Sequence, residues 1–70
     1  MAMEDFPMGY FLLRKTSDGQ FMFNLHSDAV GDEIIATSER YKSTQAALNG
    51  IESVRKNAPD AEIRDETKDD

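Results

Sequence analysis

Between residues 31 and 57 the chain passes from a short apolar run directly into a capped, amphipathic helix with a glycine at its middle (GDEIIATSERYKSTQAALNGIESVRKN). Ser43 stands where an N-cap is needed, its hydroxyl placed to accept a free amide of the first turn. Ala47, Ile51, Val54 and Ala58 then recur at spacings of four, three and four, which marks one helical face. Glu52 precedes Lys56 by four residues, a favourable pair. Arg55 and Lys56 occupy the last turn, where positive charge suits the helix dipole, and Asn57 with Pro59 supplies the stop. Gly50 costs such a helix roughly 1 kcal/mol relative to alanine. Its position beside Ala47 and Val54 predicts a compensation: the helix backbone packs closely on a sheet.

The sheet is written upstream. Residues 10–16 (YFLLRKT) are rich in aromatic and aliphatic side chains and read as a strand. Ser17-Asp18-Gly19 follows, and Asp-Gly between two such runs is a strong hairpin signal because both residues tolerate positive φ. Residues 20–26 alternate, with Phe21, Phe23 and Leu25 on one face and Met22, Asn24 and His26 on the other, the period of a half-buried strand. Residues 27–32 (SDAVGD) are turn chemistry, and residues 33–37 (EIIAT) make a third, shorter strand. Short turns between three strands predict an antiparallel meander. Residues 61–66 (AEIRDE) alternate weakly around Ile63 and read as a final strand. The order is β-β-β-α-β, an α+β class domain over residues 9–66, with residues 1–8 as a lead-in and 67–70 as an acidic tail.

Seventy residues allow one domain. A chain of this size buries only about 60% of its unfolded surface, and its core supplies at most ~3–5 kcal/mol, so domains of this kind lean on disulfides, metals or self-association. The sequence contains no cysteine. That removes disulfides, thiolate metal sites and cysteine catalysis, and fits a reducing compartment. No apolar run approaches a membrane span, and MAMEDFPMG lacks the basic start and apolar stretch of a signal peptide. The expectation is a soluble, cytoplasmic protein.

The net charge of −6 is unevenly placed. Residues 1–59 hold eight acids and six bases, whereas residues 60–70 hold six acids (Asp60, Glu62, Asp65, Glu66, Asp69, Asp70) against Arg64 and Lys68. An acidic chain without a basic stripe is a poor nucleic-acid binder, because phosphate neutralisation supplies much of that affinity. The terminal acids lack the glycine and spacing of an EF-hand loop and read as a solubilising end, so no metal is expected.

These residues together resemble the YegP-like family of small bacterial proteins of unknown function. The matching pieces are Gly19 followed by Phe21-x-Phe23-x-Leu25, Gly31-x-Glu33-x-Ile35, Ser38-Glu39-x-Tyr41, and in the helix Ala47, Gly50-Ile51, Ser53-Val54 and Asn57. Their order and spacing carry the match over residues 9–60. The chain departs from the family in the second turn, where residues 26–33 run slightly longer than the usual alanine-x-asparagine turn. The resemblance implies a three-strand, helix, strand unit, carried twice in some members and once in others. It also implies that single-copy members pair as homodimers that exchange their C-terminal strands. This chain has one copy, so the resemblance implies a homodimer. The residues agree on two counts: the core is small, and Ile63 needs a partner surface that its own strand does not make. Exchange would also cover an otherwise open strand edge.

Five side chains are candidates for a site. His26, the sole histidine, falls on the polar face of the second strand with Asp28 as the nearest acid in sequence, and reads as an exposed strand residue. Ser38, Glu39 and Tyr41 cluster where sheet hands over to helix. No nucleophile elbow surrounds Ser38, and the bland reading is that Ser38 and Glu39 satisfy backbone amides while Tyr41 packs beside the helix start. Arg64 joins Glu39 and Tyr41 only if two copies meet at a dimer seam. Tyr10, Phe11, Phe21 and Phe23 would make a stacking platform for single strands only with basic residues around them; Arg14 and Lys15 alone are too few, so these rings are assigned to the core. Three of the four methionines lie in the lead-in, and Met22 is left facing a partner or exposed on the outer sheet face. The reading is a small non-catalytic interaction or structural module acting as a homodimer, with a further protein partner meeting the outer sheet face or the turn from Ser38 to Tyr41. The alternative is a small-molecule binding protein or enzyme whose site forms at the dimer seam. No cofactor, nucleic acid or membrane enters either reading.

Overall fold

The alternation of residues 20–26 becomes the middle strand of an antiparallel sheet ordered β1-β2-β3. The computed structural model describes residues 9–27 and 32–67. Within it β1 is Gly9–Lys15, β2 Phe21–Ser27 and β3 Ile34–Thr37, followed by one helix, α1, over Thr44–Asn57 and a single 3₁₀ turn over Ala58–Asp60. Phe11 pairs with Leu25 and Leu13 with Phe23, which sets these side chains on the face that meets α1. Tyr10 with His26, Leu12 with Asn24 and Arg14 with Met22 line the opposite, outer face.

The first hairpin closes through Thr16 N–H to Gln20 O (2.7 Å) and Gly19 N–H to Thr16 O (3.0 Å). Of the Asp18-Gly19 pair only Gly19 takes a positive φ, at 87°. Most of the second turn, including residues 28–31 and the departure from the family pattern, lies outside the described residues. Its exit is defined: Ser27 N–H donates to Glu33 O (2.8 Å) and Asp32 has φ 48°. The β2–β3 register shifts between Leu25, opposite Ala36, and His26, opposite Ile34, which leaves Ile35 as the extra residue of a bulge.

Pairing along β2 does not stop where β3 ends. Ser38 N–H donates to Phe23 O (2.9 Å), and the Phe23 amide donates to the Ser38 hydroxyl (2.9 Å). Phe21 and Tyr41 then exchange two backbone hydrogen bonds of 2.8 and 2.7 Å. The strand-to-helix connection is thereby stitched to the middle strand before α1 begins.

The Ser43 cap forms as the sequence predicts, its hydroxyl accepting the Ala46 amide at 3.0 Å. The helix ends on Asn57, whose side-chain amide donates to Ser53 O (2.8 Å). Two details differ. Glu52 pairs with Arg55 (3.3 Å) rather than Lys56, because the guanidinium three residues on reaches the same carboxylate. Ala58 sits exposed at the end of the helix, since the 3₁₀ turn containing Pro59 swings it off the apolar face.

The apolar core is small: Phe23, Ala47 and Ile51 are buried. Phe11 meets the Phe23 ring edge-on at 5.7 Å, and Tyr41 lies parallel to Phe23 at 6.1 Å. The sequence assigned Tyr10 to this core as well. It belongs instead to the outer face, because its register partner is His26. Residues 61–67 take no helix or strand pairing among the described residues, so the fourth strand expected over 61–66 is not formed within the single chain, and Ile63 is 93% exposed.

Gly50 has the close contact that its position in the helix demanded. A Cβ added there would lie 2.5 Å from the Tyr41 hydroxyl, 2.8 Å from Tyr41 Cζ and 3.2 Å from Phe23 Cε2. Gly50→Leu should therefore lower stability by ~1–3 kcal/mol through overpacking. Gly50→Ala should fail to deliver the roughly 1 kcal/mol that alanine contributes in an open helix. Urea unfolding followed by circular dichroism reads both; a raised midpoint for Gly50→Ala would show that the helix does not rest on Tyr41 and Phe23.

Candidate functional site

Two polar constellations include the residues singled out in the sequence. The first lies on the outer sheet face. His26 is buried, 8% exposed, which corrects the expectation of an exposed strand histidine. The reason is its cross-strand neighbour: the Tyr10 ring stacks on the imidazole at 4.8 Å with 7° between planes. Directly opposed residues on one sheet face come close enough for aromatic pairs to contribute. The Tyr10 hydroxyl donates to both Asp32 oxygens, at 2.7 and 3.0 Å. Asp32 Oδ1 also lies 3.4 Å from His26 Nδ1, an ion-pair distance, but neither ring nitrogen completes a hydrogen bond. Tyr10 already holds that oxygen at close range.

Sequence proximity pointed to Asp28 as the acid beside His26, and Asp28 lies outside the described residues. Among the described residues it is Asp32 that approaches the imidazole, at 3.4 Å. Period-two reasoning could have found Tyr10, because the hairpin register follows from the turn; Asp32 depends on a turn shape that the sequence leaves open. The cluster fixes a phenol on a carboxylate. Its imidazole is covered, so it is poorly placed to exchange protons with a substrate.

The second constellation is the sheet-to-helix junction. The Ser38 hydroxyl accepts from Phe23 N–H and donates to Glu39 O at 2.6 Å. It is saturated as a backbone bridge, as the bland reading expects. Tyr41 packs at the helix start between Phe23 and Gly50, again as expected. Glu39 differs: its carboxylate takes no hydrogen bond or ion pair among the described residues, and only its carbonyl is used. Arg64 bonds to Glu62 within its own unpaired segment, and both side chains are exposed.

Among the described residues no group of three His, Cys, Asp or Glu side chains is arranged to hold a metal ion. Of the terminal acids, Asp65 accepts from both the amide (2.9 Å) and hydroxyl (2.6 Å) of Thr67. Those bonds hold its carboxyl below the usual range, the hydroxyl having the larger effect. No described helix is long and apolar enough to cross a membrane.

Fold and sequence together place the chain in a class. The family described as a domain of unknown function, DUF1508, matches residues 16–65. A UPF0339 protein of Pseudomonas aeruginosa is 62% identical over 48 residues, covering 69% of this chain and 42% of that protein. A UPF0339 protein of Treponema denticola is 47% identical over 55 residues, covering 79% of this chain and 91% of the relative. The UPF0339 protein YegP of Yersinia pestis is 39% identical over 66 residues, covering 90% of this chain and 57% of YegP. A solution structure of a Haloferax volcanii protein superposes with a TM-score of 0.75 at 33% identity, covering 86% of this chain and 98% of that one. The chain belongs to the DUF1508 family of YegP-like UPF0339 proteins. It spans less than half the length of the Pseudomonas relative and of a similar one from Bordetella pertussis, at 42% and 44%.

The junction serves the fold rather than chemistry, and that is testable. Ser38→Ala leaves the Phe23 amide without its acceptor and should lower stability by ~1–3 kcal/mol. Glu39→Gln removes only an unpartnered charge and should fall within about 0.5 kcal/mol of the parent. Guanidinium unfolding of the two variants gives the comparison. Equal midpoints for both would refute the bridging role of Ser38.

Proposed function

We propose that the chain acts as a non-catalytic interaction module of the cytoplasm that works as a homodimer, with residues 61–66 exchanged between copies as a fourth strand. One observation carries the reading: Ile63 stands 93% exposed in a segment whose backbone makes no ladder. A large aliphatic side chain in such an unpaired stretch gains ~1.5–3 kcal/mol by entering an apolar surface. A second copy offers that surface. Ile34 and Ile35 are 55% and 56% exposed on β3, an edge strand of the described sheet, and Leu48 is 42% exposed on α1. The small core adds support, since a chain of this size gains much from self-association.

The lengths of the relatives fit the same picture. The Treponema protein is matched over 91% of its length, as a single-unit protein would be. Relatives matched over 42–44% have room for a second unit in the same chain. In the dimer a further protein partner meets the outer sheet face around Met22, Asn24 and His26, or the turn from Ser38 to Tyr41. Saturation of Ser38 and burial of His26 weigh against catalysis at either place.

Native mass spectrometry combined with size-exclusion light scattering tests the assembly. The parent should run as a dimer at micromolar concentration, and Ile63→Asp should run as a monomer with a lower melting temperature. A monomeric parent overturns the dimer, and a dimeric Ile63→Asp overturns exchange through this residue. A reproducible extra mass on the dimer would move the reading to a ligand at the seam.

A further inference from the structure

A groove of about 530 Å³ lies on the outer sheet face beside the first hairpin. Arg14 and Thr16 line it from the β1 side, Met22 from β2, and Thr37, Ser38 and Arg40 from the β3 side. Its charge is opposite to that of the molecule. The chain holds fourteen acidic side chains and a net charge of −6, yet no carboxylate lines the groove. Lys15 also borders it, but alternation sends the ammonium to the other face, 5.8 Å from the centre of the Phe21 ring. Two guanidinium groups therefore remain to face the same space.

The two arginines are held differently. Arg40 Nη1 lies 3.5 Å from Asp18 Oδ2 at the hairpin tip. Asp18 in turn accepts from the Thr16 hydroxyl, which together with the Arg40 charge keeps its carboxyl below the usual range. Arg40 is thus oriented and partly neutralised. Arg14 makes no hydrogen bond, ion pair or ring contact with any described residue. A guanidinium with all its donors unused beside a second cation is a fork without its anion, and arginine binds carboxylate and phosphate through two parallel hydrogen bonds.

The neutral lining completes the chemistry. The Thr37 hydroxyl oxygen already accepts from Asn24 Nδ2 at 2.9 Å, which leaves its own proton free to donate into the groove. The Ser38 hydroxyl is consumed by Phe23 and Glu39, so it shapes the wall without binding. Met22 supplies an adaptable apolar surface. The volume lies inside the roughly 300–1,000 Å³ of small-molecule sites.

We propose that this groove binds a small organic oxyanion, its phosphate or carboxylate head group held by the Arg14 guanidinium and the Thr37 hydroxyl and its apolar body resting on Met22. Arg40 supplies longer-range attraction while tethered to Asp18. All of the lining residues belong to one chain.

The test is a titration of ¹⁵N-labelled full-length protein with phenyl phosphate, benzoate and inorganic phosphate, at ionic strength held constant with sodium chloride. Phenyl phosphate or benzoate should shift the amides of residues 14–17 and 37–40 along saturating curves, and the tighter of the two names the head group. Inorganic phosphate should bind more weakly, lacking the apolar body. Arg14→Gln should weaken binding at least tenfold, Arg14→Lys should fall between, and Lys56→Gln on the helix should leave it unchanged. Arg14 is exposed, so retained amide dispersion confirms that these variants fold. Shifts that never saturate with any probe would overturn the site, as would an Arg14→Gln variant that binds like the parent.

Discussion

The whole arrangement rests on one close approach, that of the Gly50 backbone to the rings of Tyr41 and Phe23. Ala47 and Ile51, on the same helical face, are the buried residues that α1 contributes. The helix sits low enough to bury them because residue 50 has no side chain, and the space a Cβ would need is filled by the Tyr41 hydroxyl. Tyr41 is held there by two backbone hydrogen bonds to Phe21 and by its stack on Phe23. Helix position, ring stacking and the end of the sheet are therefore one coupled contact. The penalty glycine carries in a helix is set against burial that a bulkier residue would prevent.

Much of this was legible from residue pattern. The period-two run through Phe21, Phe23 and Leu25 fixed which face of β2 meets the helix. Ser43 announced the start of α1, and Gly50 beside Ala47 announced a tight contact. The misses share a cause, which is that side-chain partners across strands and turns are decided by register and loop shape. Alternation along β2 predicts an exposed His26, whereas its burial comes from Tyr10 on the adjacent strand. Glu52 chose Arg55 over Lys56 because a guanidinium reaches further than helix spacing alone specifies. Asp32 became the partner of Tyr10 at the exit of a turn whose shape the residue pattern leaves open. The groove at Arg14 and Arg40 was invisible for the same reason: twenty-six residues separate two side chains that the meander brings to one place.

The two faces of the sheet divide the labour. The helix-facing side carries the apolar core and little else. The outer side mixes a covered histidine, an amide satisfied by Thr37, and a cationic groove, built on register partners of β1 and β2 with Thr37, Ser38 and Arg40 from the β3 side. An acidic molecule that gathers unpaired positive charge at one point focuses a local field that its net charge would not indicate.

The completion of β2 by residues beyond β3 has a dynamic consequence. Phe21, Phe23 and Ser27 send their amides toward the β3 side, to the Tyr41 carbonyl, the Ser38 hydroxyl and the Glu33 carbonyl, and one of these acceptors is a side chain. β2 is thus hydrogen-bonded along both flanks, whereas β1 and β3 each have one flank unpaired within the described sheet. Exchange of a backbone amide with deuterated solvent requires its hydrogen bond to open, and the most enclosed segments open last. Protection should therefore peak in the middle strand and at Tyr41. The Phe23 amide becomes a reporter of whether the strand-to-helix connection is closed, because it is shielded only while Ser38 holds its rotamer.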